Sequence, residues 1–260
     1  MKMINTNSAK KKLKEGKKLS GAWAQAGSNI TAEILADSGF DVVMVDMEHG
    51  PGDIPTLISQ LQGMQGSDAV PFCRAPWNDF VQIKRILDAG VYGLLVPYIN
   101  TKEEAIQAVA ATKYPTEGIR GVAGSPRAPH YGNNAGDYMK KANDEIFVMV
   151  AIETPEAVAH LDDILSVEGL DGIFIGPMDL ATSMGHFINP GAPEVQAAIK
   201  TVEDKVFKSD KILATVAGSW EDAQKKYEKG YSLLMLMSDT VTLGQTARKT
   251  VENFKKIYGE

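Results

Sequence analysis

Eight short apolar runs, separated by longer segments of helical period, constrain this chain more than any other feature. They occupy residues 19–25, 41–46, 70–74, 93–97, 147–152, 172–175, 212–216 and 232–237. A run such as Val42-Val43-Met44-Val45 shows no apolar/polar alternation. Such a strand needs both faces covered, as in a parallel sheet flanked by helices. Eight strand–helix alternations within 260 residues predict α/β architecture, a single (β/α)8 TIM barrel over 1–260, a fold that takes about 250 residues. A doubly wound sheet is the alternative, but it ordinarily has fewer strands.

The intervening segments carry helix punctuation. Thr101 with Glu104, and Ser219 with Asp222, have the spacing of capping boxes, in which a hydroxyl and an acid satisfy each other's backbone N–H groups. Asp79 precedes a periodic run that stops at Gly90, a left-handed cap. Thr154-Pro155-Glu156 places proline at a first helical position. Residues 114–143 are the exception: a long stretch rich in Gly, Pro and Asn, holding Arg120, Arg127, His130 and Tyr131. Loops of this length usually have a function. Following the fourth strand, this one is expected to cover the C-terminal mouth of the barrel or to form a subunit contact.

Composition excludes several classes. A net charge of −6 argues against nucleic-acid binding, which needs a basic surface. The one basic stretch, residues 10–18, reads as a solvated first helix outside the barrel. No apolar run approaches the roughly 18 residues of a membrane span, and no apolar segment follows the first lysines, so neither a span nor a signal peptide is expected. Cys73 is the only cysteine and lies in an apolar run, which fits a buried thiol in a reducing cytoplasm.

Chemistry-bearing residues collect where apolar runs end. Glu153 and Asp179 follow two successive runs, about one strand–helix–strand unit apart. In a parallel sheet both project from the C-terminal edge, on strands about 4.8 Å apart. Two hard oxygen ligands there can hold one divalent cation and leave positions for water and substrate. Asp46, Glu48 and His49 follow another run; His49 can take a proton, with either acid to orient its ring. Arg74 ends the next run, where it either clamps an anionic oxygen or forms a structural salt bridge. A short helix starting after the turn Gly176-Pro177-Met178 would aim free N–H groups at a substrate carboxylate. No phosphate loop, G-x-G-x-x-G or C-x-x-C occurs. No lysine ends a strand, which argues against Schiff-base chemistry.

Taken in order, Val45-Asp-Met-Glu-His-Gly-Pro51, Arg74-Ala-Pro76, Leu87-Asp-Ala-Gly90, Leu94-Leu-Val-Pro97, Gly118-Ile-Arg-Gly121, Ile152-Glu-Thr-Pro-Glu-Ala157 and Phe174-Ile-Gly-Pro-Met-Asp-Leu180 resemble the HpcH/HpaI aldolase family. These are class II pyruvate aldolases on a (β/α)8 barrel. The resemblance implies reversible cleavage of a 4-hydroxy-2-oxo acid, such as 4-hydroxy-2-oxoheptanedioate or 2-dehydro-3-deoxyglucarate, to pyruvate plus an aldehyde. The alternative is an oxaloacetate decarboxylase or a macrophomate-synthase-like enolate former. It further implies that Glu153 and Asp179 bind Mg²⁺, Mn²⁺ or Co²⁺, and that His49 works in acid–base transfer through a water. Arg74 would steady the keto or enolate oxygen, with Asp46 in support, and Gly176, Pro177 and Met178 would line the 2-oxo acid. Asp88 resembles an acid that reaches a neighbouring subunit's site and pairs with its histidine. Such proteins assemble as homo-oligomers, commonly dimers grouped into hexamers, with a C-terminal helix exchanged between partners; residues 243–258 are the candidate. One departure is Pro129 after Arg127-Ala128, where relatives often carry a Ser or Thr that helps hold the substrate carboxylate.

Overall fold

A computed structural model describes residues 6–259. In chain order its elements are α1 (Ser8–Lys14), β1 (Leu19–Ala24), α2 (Asn29–Asp37), β2 (Val42–Asp46), α3 (Ile54–Gly63), β3 (Val70–Arg74), α4 (Phe80–Ala89), β4 (Gly93–Val96), α5 (Lys102–Thr112) and α6 (Ala135–Glu145). There follow β5 (Phe147–Ile152), α7 (Pro155–Ala159), α8 (Leu161–Leu165), β6 (Gly172–Ile175), α9 (Pro177–Ser183), α10 (Pro193–Val206), β7 (Ile212–Val216), α11 (Trp220–Lys229), β8 (Leu233–Ser238) and α12 (Asp239–Tyr258). All eight strands pair in parallel in sequence order, and β8 closes on β1. The expected (β/α)8 barrel is therefore the fold, and each predicted strand lies within a residue or so of its observed bounds.

The unbroken apolar strands make two cores because successive side chains point to opposite faces. Val42 and Met44 point into the barrel, with Leu19, Trp23, Phe72, Phe147, Phe174 and Met235. Val43 and Val45 point outward, beneath the helices, with Cys73, Ile83, Leu87 and Ile152. Phe72 and Phe147 stack across the interior with ring centroids 5.5 Å apart. The predicted caps form: Thr101 and Glu104 make a full capping box, Asp79 caps α4, and Gly90 ends it at φ 103°. Asp222 instead reaches back to the Gly218 N–H.

The first helix corrects one expectation. It is not a solvated outrider: Ala9 and Leu13 join the interior core, and Lys10 is buried. Asn7 binds the carbonyls of Tyr92 and Glu145, while Lys10 Nζ binds the Ile146 carbonyl and sits 2.9 Å from Asp171. This helix plugs the N-terminal end of the barrel, and its Ser8 and other lysines face solvent.

The long segment after α5 corrects another. Helix α5 carries the chain from the C-terminal edge back to the N-terminal one before that segment begins, so it does not cover this barrel's mouth. Its Ala128 N–H donates to the Asp88 carbonyl, and Arg127 donates to the carbonyls of Ala89 and Leu61, at the C-terminal ends of α4 and α3. At that end a groove of about 810 Å³ opens between Arg127, His130, Tyr131 and residues 61–71. Helix α12 buries only Asp239, leaving Leu243, Phe254 and Ile257 exposed. No helix among the described residues is long and apolar enough to cross a membrane.

Burial pulls the Lys10 ammonium below its ordinary pKa even though Asp171 pulls it up. Such a pair adds little net stability, but stranding one partner is costly. Lys10→Ala should therefore lower unfolding stability by about 3 kcal/mol in chemical denaturation. The same substitution in an Asp171→Asn background should cost much less; equal costs in both backgrounds would contradict the plug's ionic anchoring.

Candidate active site

Five hydrogen bonds converge on one carboxylate at the end of β2. Asp46 is 2% exposed. Its Oδ1 accepts from Arg74 Nε at 2.9 Å and from the backbone N–H groups of Glu48 and His49. Its Oδ2 accepts from Arg74 Nη2 at 2.6 Å and Gln25 Nε2 at 2.7 Å. The backbone reaches this geometry through a turn at Gly50, where a Cβ would collide with the Asp46 carbonyl. Burial pushes the Asp46 carboxyl up, but the Arg74 guanidinium, Gln25 and the His49 amide outweigh it and hold it below its ordinary value.

Of the two roles left open for Arg74, the structure shows the salt bridge. Arg74 pairs with Asp46, and its Cζ lies over the Trp23 ring, 4.6 Å from the centroid, a cation–π contact. Asp46 engages Nε–H and one N–H of Nη2, so donors remain on both terminal nitrogens. Glu48 Oε2 lies 3.1 Å from Nη1 but makes no hydrogen bond, so this buried oxygen keeps an open lone pair. Burial raises the Glu48 carboxyl against the pull of Arg74 and His49.

His49 follows on the same turn. Its ring is largely exposed and its Nε2 is 3.9 Å from Glu48 Oε2. Of the two acids expected to orient this imidazole, Asp46 is excluded, since its oxygens are occupied by Arg74, Gln25 and backbone amides. Glu48 is the acid that remains within reach.

Glu153, which follows β5, and Asp179, in the first turn of α9, come together through Tyr98. The Tyr98 N–H donates to Glu153 Oε2 at 3.0 Å, and its hydroxyl donates to Asp179 Oδ1 at 3.4 Å. Tyr98 adopts φ 51°, a left-handed conformation that is costly for a bulky residue and concentrates at functional sites. Trp77 stacks on it at 5.9 Å. Sequence reasoning missed Tyr98 because an aromatic after an apolar run reads as packing; its backbone angle, not its type, marks it.

Glu153 is 2% exposed, and neither it nor Asp179 forms an ion pair among the described residues. Burial, with Asp179 and Glu48 adding to it, raises the Glu153 carboxyl to about 7, against the Tyr98 amide and Arg74. Gly176 makes room for it: a Cβ there would stand 2.7 Å from Glu153 Cγ. A crowded, under-neutralised oxygen pair of this kind fits a hard divalent cation. Among the described residues no cluster of three or more His, Cys, Asp or Glu side chains is placed to hold a metal.

The turn before α9 departs in detail from its expected role. Gly176 N–H is turned to the Ile152 carbonyl at 3.4 Å, and Pro177 has no N–H. Met178 therefore supplies the first open amide of that turn, and its side chain is 45% exposed. Asp88 does not join the other residues. It lies near the end of α4, which runs away from this edge, and its Oδ1 accepts from Arg120 Nη2 at 2.8 Å. Arg120 is fully buried between the rings of Tyr114 and Tyr138.

Residues 19–245 match the model of the HpcH/HpaI aldolase/citrate lyase family. The chain belongs to that family. The 5-keto-4-deoxy-D-glucarate aldolase of Escherichia coli O139:H28 is 42% identical over 236 residues, covering 91% of this chain and 92% of the relative. An HpcH/HpaI aldolase/citrate lyase family protein of known structure from Burkholderia cenocepacia J2315 superposes with TM-score 0.92 at 33% identity, over 96% of this chain and 100% of its own. An HpcH/HpaI aldolase from Desulfitobacterium hafniense DCB-2 superposes with TM-score 0.89 at 28% identity, over 96% and 97%.

The raised Glu153 carboxyl has a thermodynamic consequence. From an ordinary 4.5 it rises to about 7, so the folded protein binds this proton more tightly than the unfolded chain. The stability tied to that proton is fully present below pH 4.5 and is lost as pH climbs through about 7, amounting to about 3 kcal/mol. In metal-stripped protein, the wild-type denaturation midpoint should fall relative to that of Glu153→Gln across this window. Parallel pH profiles for the two proteins would refute the shift.

Proposed function

We propose that this chain is a class II pyruvate aldolase. It reversibly cleaves a 4-hydroxy-2-oxo acid to pyruvate and an aldehyde, and a 2-dehydro-3-deoxyglucarate-like acid is the favoured substrate. One observation carries the reading: Glu153 and Asp179 are bridged by Tyr98, which follows the strand next to the one that ends in Arg74, and among the described residues they have no ion pair of their own. The family membership and the glucarate aldolase relative support the reaction class and the substrate type.

In this reading Glu153 and Asp179 hold Mg²⁺, Mn²⁺ or Co²⁺, with water and substrate completing the shell. The cation, when bound, supplies Lewis-acid stabilisation of the charge that develops on the 2-oxo oxygen. Arg74 presents its remaining N–H groups to the same oxygen, and a single contact of that type is worth about 10²–10³ in turnover. Asp46 holds the guanidinium in place. The Met178 amide, in the turn shaped by Gly176 and Pro177, receives the substrate carboxylate. His49, exposed at the rim and close to Glu48, moves the proton of the C4 hydroxyl through a water. Asp88 is read as serving a neighbouring copy, because it stands apart from this chain's own site. A homo-oligomer, hexameric as is common in the family, fits the bare apolar face of α12. A buried, unpaired Cys73, its thiol pushed up by burial, fits a reducing cytoplasm.

Metal-stripped protein supplied with each cation and a panel of 4-hydroxy-2-oxo acids should release pyruvate and aldehyde only when metal is added. Glu153→Ala and Asp179→Ala should each reduce that release by about 10³ or more. Full activity without metal, or in either variant, would overturn the assignment. Release of CO₂ from oxaloacetate in place of aldehyde would favour the decarboxylase instead.

A further inference from the structure

Just past the end of β1 stands Gln25, a half-buried amide held at both ends of its side chain. The Ser238 hydroxyl donates to Gln25 Oε1 at 2.7 Å, and Gln25 Nε2 donates to Asp46 Oδ2 at 2.7 Å. Chemistry fixes the direction of this chain. An ionised carboxylate only accepts, so the NH₂ end of the amide must face Asp46 and its carbonyl must face the hydroxyl. The backbone is tied down as well. Gln25 N–H and Ala26 N–H donate to the two oxygens of Asp239 at 2.8 and 3.1 Å, and Thr31 Oγ1 donates to Asp239 Oδ2 at 2.7 Å.

What this amide controls follows from the bonds around Asp46. The Trp23 ring centroid lies 4.6 Å from Arg74 Cζ, a contact that offers the guanidinium no hydrogen bond to fix its angle. That angle comes from the fork to Asp46, so it depends on how the carboxylate itself is turned. Backbone N–H groups of Glu48 and His49 pin Oδ1. Apart from Arg74 itself, Oδ2 is pinned only by Gln25 among the described residues.

We propose that Gln25, oriented by Ser238, is a positioning residue for Arg74: it locks the rotation of Asp46 and so fixes where the guanidinium presents its free N–H groups to the substrate oxygen. This rests on the reading of Arg74 as substrate-facing. Side chains at the two ends of the sheet's seam, β1 and β8, thereby set the aim of a cation on β3. Helix α12, capped by Ser238 and begun by Asp239, is anchored to the same cluster.

The test uses the full-length protein loaded with Mn²⁺. Gln25→Met keeps the length of the side chain and removes its hydrogen bonds. It should lower kcat about tenfold, the value of one hydrogen bond to a charged group, with KM changed less. The Mn²⁺ dissociation constant and the thermal midpoint should stay near wild type, since Glu153 and Asp179 are untouched. Ser238→Ala should cost several-fold in kcat on its own and nothing further in the Gln25→Met background. Gln25→Asn, too short to span both partners, should repeat the loss if the Met variant fails to fold.

Wild-type kcat in Gln25→Met or in Gln25→Asn would overturn the proposal. So would a loss matched by equally weakened Mn²⁺ binding, or losses at the two positions that simply multiply. Arg74→Gln separates the two readings. If it is inactive while Gln25→Met is fully active, only the positioning role fails. If it keeps wild-type turnover, the assignment of Arg74 itself falls.

Discussion

Burying negative charge at the end of a closed barrel demands compensation, and the C-terminal edge of this protein meets that demand in two ways. Asp46 has a guanidinium forked onto it, two backbone amides and a side-chain amide, and its carboxyl stays ionised. Glu153 has one backbone amide and two acidic neighbours, and its carboxyl rises to about 7. The difference divides this edge into a part the chain neutralises by itself and a part to which the described residues bring no ion pair. A buried ion pair is weak evidence of stability. What the Asp46–Arg74 pair fixes is geometry: the fork holds the guanidinium in one orientation and leaves donors on both terminal nitrogens.

The opposite end of the barrel shows the same electrostatics used for structure. Lys10 enters between strand starts and meets Asp171 and a backbone carbonyl, closing the interior with an apolar helix face. Arg120 is sandwiched between two tyrosines and tied to Asp88. Neither cluster includes any of the residues gathered at the C-terminal edge. The groove between residues 61–71 and the 127–131 segment also belongs to that end, apart from the residues gathered at the C-terminal edge.

The other edge carries backbone strain of its own. Tyr98 accepts a left-handed backbone so that its amide can reach one carboxylate and its hydroxyl another. Gly176 omits a side chain where one would displace Glu153. Both features cost stability in isolation, and the packed strands on either side hold them in place.

The barrel was legible in the chain because period-2 burial on both faces of every strand leaves an unbroken apolar run, and eight such runs with capped helices between them admit few arrangements. Residues that end those runs, Asp46, Arg74, Glu153 and Asp179, were legible for the same reason: topology alone places every strand's C-terminal end on one edge. Which acid lies within reach of His49, what bridges the two carboxylates, where the 114–143 segment lies and what Asp46 binds besides Arg74 were decided only in three dimensions. Those answers depend on partners far apart in sequence, such as Gln25 with Ser238 and Asp46, or Tyr98 with Glu153 and Asp179. Local periodicity carries no record of such contacts, because they come into being only when separate strands bring their ends to one edge.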